Sequence, residues 1–162
     1  MAYKIGIVMG SDSDLPVMQE AQKALAEFGI ECEMRVISAH RTPRTAADYS
    51  ETAVDRGLNV IIAGAGGAAH LAGVLAASTP LPVIGVPIKS MALNGMDSLL
   101  STAQMPSGIP VATVAIDGAR NAAILAAQIL GATDSEIREK VKAFKERLAE
   151  TVAAKDARIR QN

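Results

Sequence analysis

Three times in the first 70 residues, a short apolar run ends in a polar or glycine-rich loop that opens into helix-forming sequence. That repetition restricts the chain to strands alternating with helices. Lys4-Ile5-Gly6-Ile7-Val8-Met9 runs into Gly10-Ser11-Asp12-Ser13-Asp14. Asp14 suits an N-cap and Pro16 a first turn, and Val17, Ala21, Ala24, Leu25 and Phe28 follow at helical spacing as far as Gly29. Residues 30–37 form a second strand-like run that stops at Ser38-Ala39-His40-Arg41-Thr42-Pro43. Thr42 and Pro43 there launch a helix over 44–56, with Gly57 as its stop. Val60-Ile61-Ile62-Ala63 leads into Gly64-Ala65-Gly66-Gly67-Ala68-Ala69-His70, with His70 in the first turn of a helix through Leu71, Val74 and Leu75.

The remainder continues the alternation. Residues 83–86 read as a strand, 88–95 as a loop, and Asp97 caps a short helix through Leu99, Leu100 and Ala103. A second loop at 105–110 precedes a fifth strand over 111–116 and an alanine-rich helix over 121–130, stopped by Gly131. From Asp134 onward, Ile137, Val141, Phe144, Leu148 and Val152 mark a long amphipathic helix. The expected fold is a three-layer α/β/α doubly wound parallel sheet with flavodoxin-like strand order. With 162 residues and 49% hydrophobic content, one domain spanning 1–162 is expected. The final helix, 134–162, follows a complete sheet and is long, so its apolar stripe is expected to pack on a neighbouring subunit.

Composition narrows the functional classes. A net charge of −1 and four aromatic residues with no Trp argue against nucleic-acid binding. No run reaches membrane-spanning length and no signal-like region precedes the first strand, so a cytoplasmic protein is expected. Cys32 stands alone in a strand-like run and reads as a buried thiol rather than a nucleophile. Two histidines without companion ligands give no metal site.

In doubly wound sheets ligands bind beyond the carboxyl ends of the strands, so Ser11, Ser13, Asp14, Ser38, His40, Arg41 and His70 are expected to converge. Ser11, Ser13 and Asp14 at a helix N-terminus can either cap it or help bind a phosphate. The fork of Arg41 also fits a phosphate, although a surface arginine needs no such task. Gly64-x-Gly66-x-x-Ala69 matches a relaxed dinucleotide fingerprint, but the next strand ends Val86-Pro87-Ile88, with no acidic residue for a ribose. The residues themselves point to a phosphorylated small molecule held by loops one and two, with a histidine of loop three transferring a proton.

Taken together, Met9 to Asp14, Ser38 to Pro43, Gly64 to Leu71 and Met105-Pro106-Ser107-Gly108-Ile109-Pro110-Val111 resemble the aminoimidazole ribonucleotide carboxylase family of purine biosynthesis, in its bacterial mutase form. The resemblance implies a reaction without cofactor or metal, in which a carboxylate moves from the exocyclic nitrogen of N5-carboxyaminoimidazole ribonucleotide to ring carbon C4. It implies that Ser11, Ser13 and Arg41 bind the 5′-phosphate and that Asp14 binds the ribose hydroxyls. Ser38, His40 and the Gly66-Gly67 backbone would surround the base, with His40 and His70 as the catalytic residues and His70 the proton shuttle. It also implies a homo-octamer with sites at subunit boundaries. Two features depart from the family pattern: Asp12, whose carboxylate is expected to point to solvent, and a short 117–121 segment before the last sheet-covering helix. A carboxylase using free carbon dioxide and a non-catalytic nucleotide-binding module are the alternative readings.

Overall fold

The computed structural model describes residues 3–161. Five strands, β1 (Lys4–Met9), β2 (Glu31–Val36), β3 (Leu58–Gly66), β4 (Val83–Ile88) and β5 (Ala112–Thr113), pair in parallel in the order β2-β1-β3-β4-β5. This is the flavodoxin-like order, in which the chain steps out from β1 to β2 and then crosses back over β1 to β3. Helices α1 (Leu15–Glu27), α2 (Pro43–Glu51), α3 (Leu71–Ala77), α4 (Met96–Ala103), α5 (Ala119–Gly131) and α6 (Ser135–Arg160) cover the two faces.

Successive strand residues face opposite sides, which divides the apolar runs between two cores. Ile5, Ile7 and Met9 of β1 pack with Met18, Leu25, Ala123, Ala127 and Phe144 from α1, α5 and α6. Val8 packs instead with Ala46, Tyr49, Leu71 and Leu75 from α2 and α3. Both faces are therefore dry, and that is why β1, β3 and β4 read as unbroken apolar runs rather than alternating ones. The edge strand β2 is half-exposed, and burial raises the pKa of the Cys32 thiol on it.

Several elements differ from the sequence expectation. β5 is two residues long rather than six. Beyond it the chain stays beside β4 through single bonds, Val114 N–H to Gly85 O and Asp117 N–H to Pro87 O, until Asp117 enters the left-handed region at φ 56°. β3 continues through Gly64 to Gly66, so the turn starts at Gly67. The extension follows the pairing with β4, which runs through Gly64, Ala65 and Gly66, and a Cβ on Gly64 would meet the Met18 side chain that packs there. α2 ends at Glu51, and turns carry the chain on to Gly57. α5 starts at Ala119, two residues early, and its Ala119, Ala122, Ala123, Ala126 and Ala127 are all buried.

The stripe of α6 is split. Asp134 caps the helix by accepting from the Ile137 N–H, and Ile137, Val141 and Phe144 are buried in the first core, with Phe144 edge-on to Phe28 at 5.6 Å. The first half of the helix thus covers its own chain, so only the second half of the stripe is left for the neighbouring subunit that the sequence favours. Leu148 and Val152 are 51% and 66% exposed.

Candidate active site

The loops after β1, β2, β3 and β4 open on the same edge of the sheet and enclose a cavity of about 570 Å³. Ser11, Ser13, Asp14, Ser38, His40, Arg41, Gly66, Gly67 and His70 all line it. The convergence of residues scattered over 60 positions follows from the strand order, because β1 and β3 are neighbours and β2 lies outside β1.

In the first loop, Gly10 N–H donates to Gly64 O, and residues Asp12–Asp14 form a short 3-10 turn. Ser11 caps that turn, its Oγ accepting from the Ser13 N–H at 3.4 Å. Asp14 stands at the N-cap position of α1, but its carboxylate makes no capping bond. It is 8% exposed, accepts from the Ser13 hydroxyl at 3.2 Å, and faces the cavity instead. Burial raises its pKa, against the Ser13 hydrogen bond that lowers it. Asp12 is exposed and lies outside this cavity's lining, yet its carboxylate accepts from the Ser11 hydroxyl at 3.2 Å and lines an adjoining cleft with Ser11, Ser38 and Arg41.

The second loop is braced by two hydroxyls. Thr42 Oγ1 accepts from Ser38 N–H and donates to Ser38 O, closing the loop rather than capping α2. Ser38 Oγ accepts from both the backbone N–H and the Nε of Arg41, at 3.1 and 3.3 Å. Arg41 also donates from Nη2 to Gly10 O at 2.9 Å, which ties loop two to loop one. A guanidinium has five N–H donors, so this bracing leaves others for a ligand.

In the third loop Gly67 adopts φ 63°, a left-handed conformation suited to glycine. Its N–H is not open to a ligand: it donates to the buried Ser98 Oγ at 2.9 Å. His70 is the residue immediately before α3 rather than a member of its first turn. Its Nδ1 lies 2.8 Å from His40 Nε2, with the two rings nearly perpendicular. One of these nitrogens donates and the other accepts, so a hydrogen bond links the two rings, its direction set by their tautomers.

The end of β4 and the loop after it contribute Ile88, Lys89, Ser90 and Met91 to the wall, residues that the sequence reading did not single out. Their signal was present, because they follow an apolar strand just as the other three loops do. Lys89 adds a second cationic side chain to the lining. Ser90 Oγ donates to Asp97 at 2.5 Å, and this bond is the main cause of the lowered Asp97 pKa. On the far side of His70, an apolar cleft runs along Gly73, Val74, Ala77, Met105, Pro106 and Ile109.

A cavity lined by hydroxyls, a guanidinium, a buried carboxylate and a hydrogen-bonded histidine pair suits proton transfer on a bound anionic small molecule. The comparisons with known proteins agree. Residues 4–151 match the family model described as AIR carboxylase. The N5-carboxyaminoimidazole ribonucleotide mutase of Mycobacterium leprae is 60% identical over 158 residues, covering 98% of this chain and 92% of the relative. That of Pyrococcus abyssi is 67% identical over 143 residues, covering 88% and 82%. The crystal structure of Treponema denticola PurE superposes with a TM-score of 0.87 at 33% identity, covering 96% of this chain and 97% of that one.

Proposed function

The chain belongs to the AIR carboxylase family, and from that premise we propose that it moves the carboxylate of N5-carboxyaminoimidazole ribonucleotide from the exocyclic nitrogen to C4 of the imidazole. The observation that carries the chemistry is the 2.8 Å contact between His40 Nε2 and His70 Nδ1. A cationic pair holds three protons and a neutral pair two, so it can release one and recover it while the shared proton moves between the rings.

Protonation of the carbamate nitrogen breaks its bond to the carboxyl carbon, releasing carbon dioxide and leaving an electron-rich enamine. C4 attacks the trapped gas, and the C4 proton then returns to the histidines. One proton is lent and one recovered, as an isomerisation requires. On sequence grounds both histidines are catalytic and His70 is the shuttle; the contact supports a shuttle role for the pair.

Ser11, Ser13 and Arg41 hold the 5′-phosphate in this reading. The Ser11 and Ser13 hydroxyls, which donate to Asp12 and Asp14 in the free protein, turn to the phosphate oxygens. Asp14 accepts from the ribose hydroxyls. Ser38 keeps its own hydroxyl proton for the base or its carboxylate, since Arg41 uses only its acceptor capacity. Gly66 supplies a wall that admits the flat ring closely. Gly67 shapes that wall through its left-handed turn rather than through a free N–H.

The reading includes one domain over 1–162, a cytoplasmic location and a homo-octamer. Two features support assembly: the exposed second half of α6 and the apolar cleft beside His70. No described helix is long and apolar enough to cross a membrane.

The test is conversion of N5-carboxyaminoimidazole ribonucleotide in the presence of labelled bicarbonate. Rapid formation of the C4-carboxylate with little early label is expected. Conversion only through the labelled pool would indicate the carboxylase, and tight binding without turnover a binding module. His40→Asn and His70→Asn are each expected to lower kcat by about 10²- to 10⁴-fold. The double variant should lose little more than the worse single one, because the two residues act as a unit.

A further inference from the structure

Ser98 lies in the first turn of α4 and is fully buried. Two other buried hydroxyls, Ser50 and Thr102, bond only to carbonyls of their own helices. Ser98 does not: its Oγ donates to Ile88 O at 2.7 Å and accepts from Gly67 N–H at 2.9 Å. One oxygen therefore joins the last residue of β4 to the turn that leaves β3.

The Gly67 turn is held through its backbone: a Cβ placed there would meet nothing within 4 Å, its N–H donates to Ser98 Oγ at 2.9 Å, and its carbonyl accepts the longer bond from Ser101 Oγ at 3.5 Å. From there the path to the histidines is short. Ala69 N–H donates to Gly67 O and His70 N–H to Ala68 O, each at 2.9 Å, and His70 then meets His40 at 2.8 Å. α4 itself is held against the fourth loop, since Asp97 accepts from the Ser98 N–H and from the Ser90 hydroxyl.

We propose that Ser98 is a positioning residue for the reaction: its hydroxyl fixes the Gly67 turn, and through it sets His70 at hydrogen-bonding distance from His40, without touching substrate. The inference rests on the mutase reading for its kinetic consequence but not for its structural one. Removing the hydroxyl frees the Gly67 N–H and lets the turn relax, and a histidine displaced by a fraction of an ångström loses a proton-transfer geometry that tolerates little error.

The test is Ser98→Ala, with Ser50→Ala as a control that removes a buried hydroxyl elsewhere. Kinetics are read together with the ring-nitrogen ¹⁵N shifts of both histidines in the ligand-free protein. Ser98→Ala is expected to lower kcat by about 10- to 100-fold while KM changes less than about threefold. The ¹⁵N signature of the shared proton should be lost, and the control should retain both kcat and the signature. Wild-type kcat and an unchanged signature in a folded Ser98→Ala protein would overturn the proposal, as would equal kcat losses in the control. Should Ser98→Ala not fold, Ser98→Cys keeps the shape with a much weaker hydrogen-bonding group, and the same two readouts decide. If the wild type shows no turnover, the functional reading fails, and the ¹⁵N comparison still tests the latch.

Discussion

Asp14 shows how a site residue can work against the fold that carries it. Burial raises its carboxyl pKa from the ordinary 3.8, so folding disfavours the ionised form relative to the unfolded chain. Its favourable contribution is present below the unfolded value of 3.8 and is lost as pH rises through the raised folded value, leaving a liability at neutral pH. Asp14→Asn should therefore raise the thermal midpoint of the ligand-free protein at pH 7, by up to about 2 °C, while weakening nucleotide binding; calorimetry with and without ligand reads both. Glu33 has the opposite sign. Burial alone would raise its pKa, but hydrogen bonds from Lys4 and Arg56 hold it at about 2. Its contribution is present above 4.5 and lost as pH falls towards 2. Glu33→Gln should flatten acid unfolding in that window by at most about 3 kcal/mol, reduced by solvent screening. Urea titrations at pH 3 and pH 7 measure the difference. The residue types of the site were legible because hydroxyls, an arginine and histidines cluster after strands. Their bonding was not: Asp14 and Thr42 stand at N-cap positions, yet their side chains bond elsewhere.

Elements with a strong period were also legible, and their ends were less so. α6 follows the spacing of Ile137, Val141 and Phe144, all three buried in the first core, and Phe144 is the largest of them. That ring packs against Phe28, while Arg120 lies 5.9 Å from its centre and pairs with both carboxylate oxygens of Glu27. Phe144→Ala is expected to destabilise the protein by about 3–5 kcal/mol through the cavity it leaves. Urea unfolding would show this as a lower midpoint, with kcat of the remaining folded protein preserved. Arg120→Ala should cost under about 1 kcal/mol, because the ion pair is half-exposed. β5 was overread because an apolar run specifies burial beside β4 but not a regular ladder, and the turn at Asp117 ends the regularity.

At the scale of the molecule, α6 divides into a half that completes the core and a half that projects from it. With the homo-octamer proposed above, replacing Leu148 and Val152 together by Glu should reduce the assembly size seen by light scattering. Protomer stability should change by less than about 0.5 kcal/mol per site, since these positions are exposed in the protomer. An unchanged assembly would place the contacts elsewhere, with the cleft along Met105, Pro106 and Ile109 the next surface to alter. By itself the sequence determined the layered α/β class and the identity of three of the four loops that meet at the cavity. Hydrophobic periodicity and loop chemistry are local properties, written within a few residues of one another. Only the tertiary structure decided that His40 meets His70, that Ser98 takes the Gly67 N–H, and that Gly64 yields to Met18. Each of these joins residues 30 or more positions apart, so the pairing is set by how strands and helices stack and leaves no periodic trace in the chain.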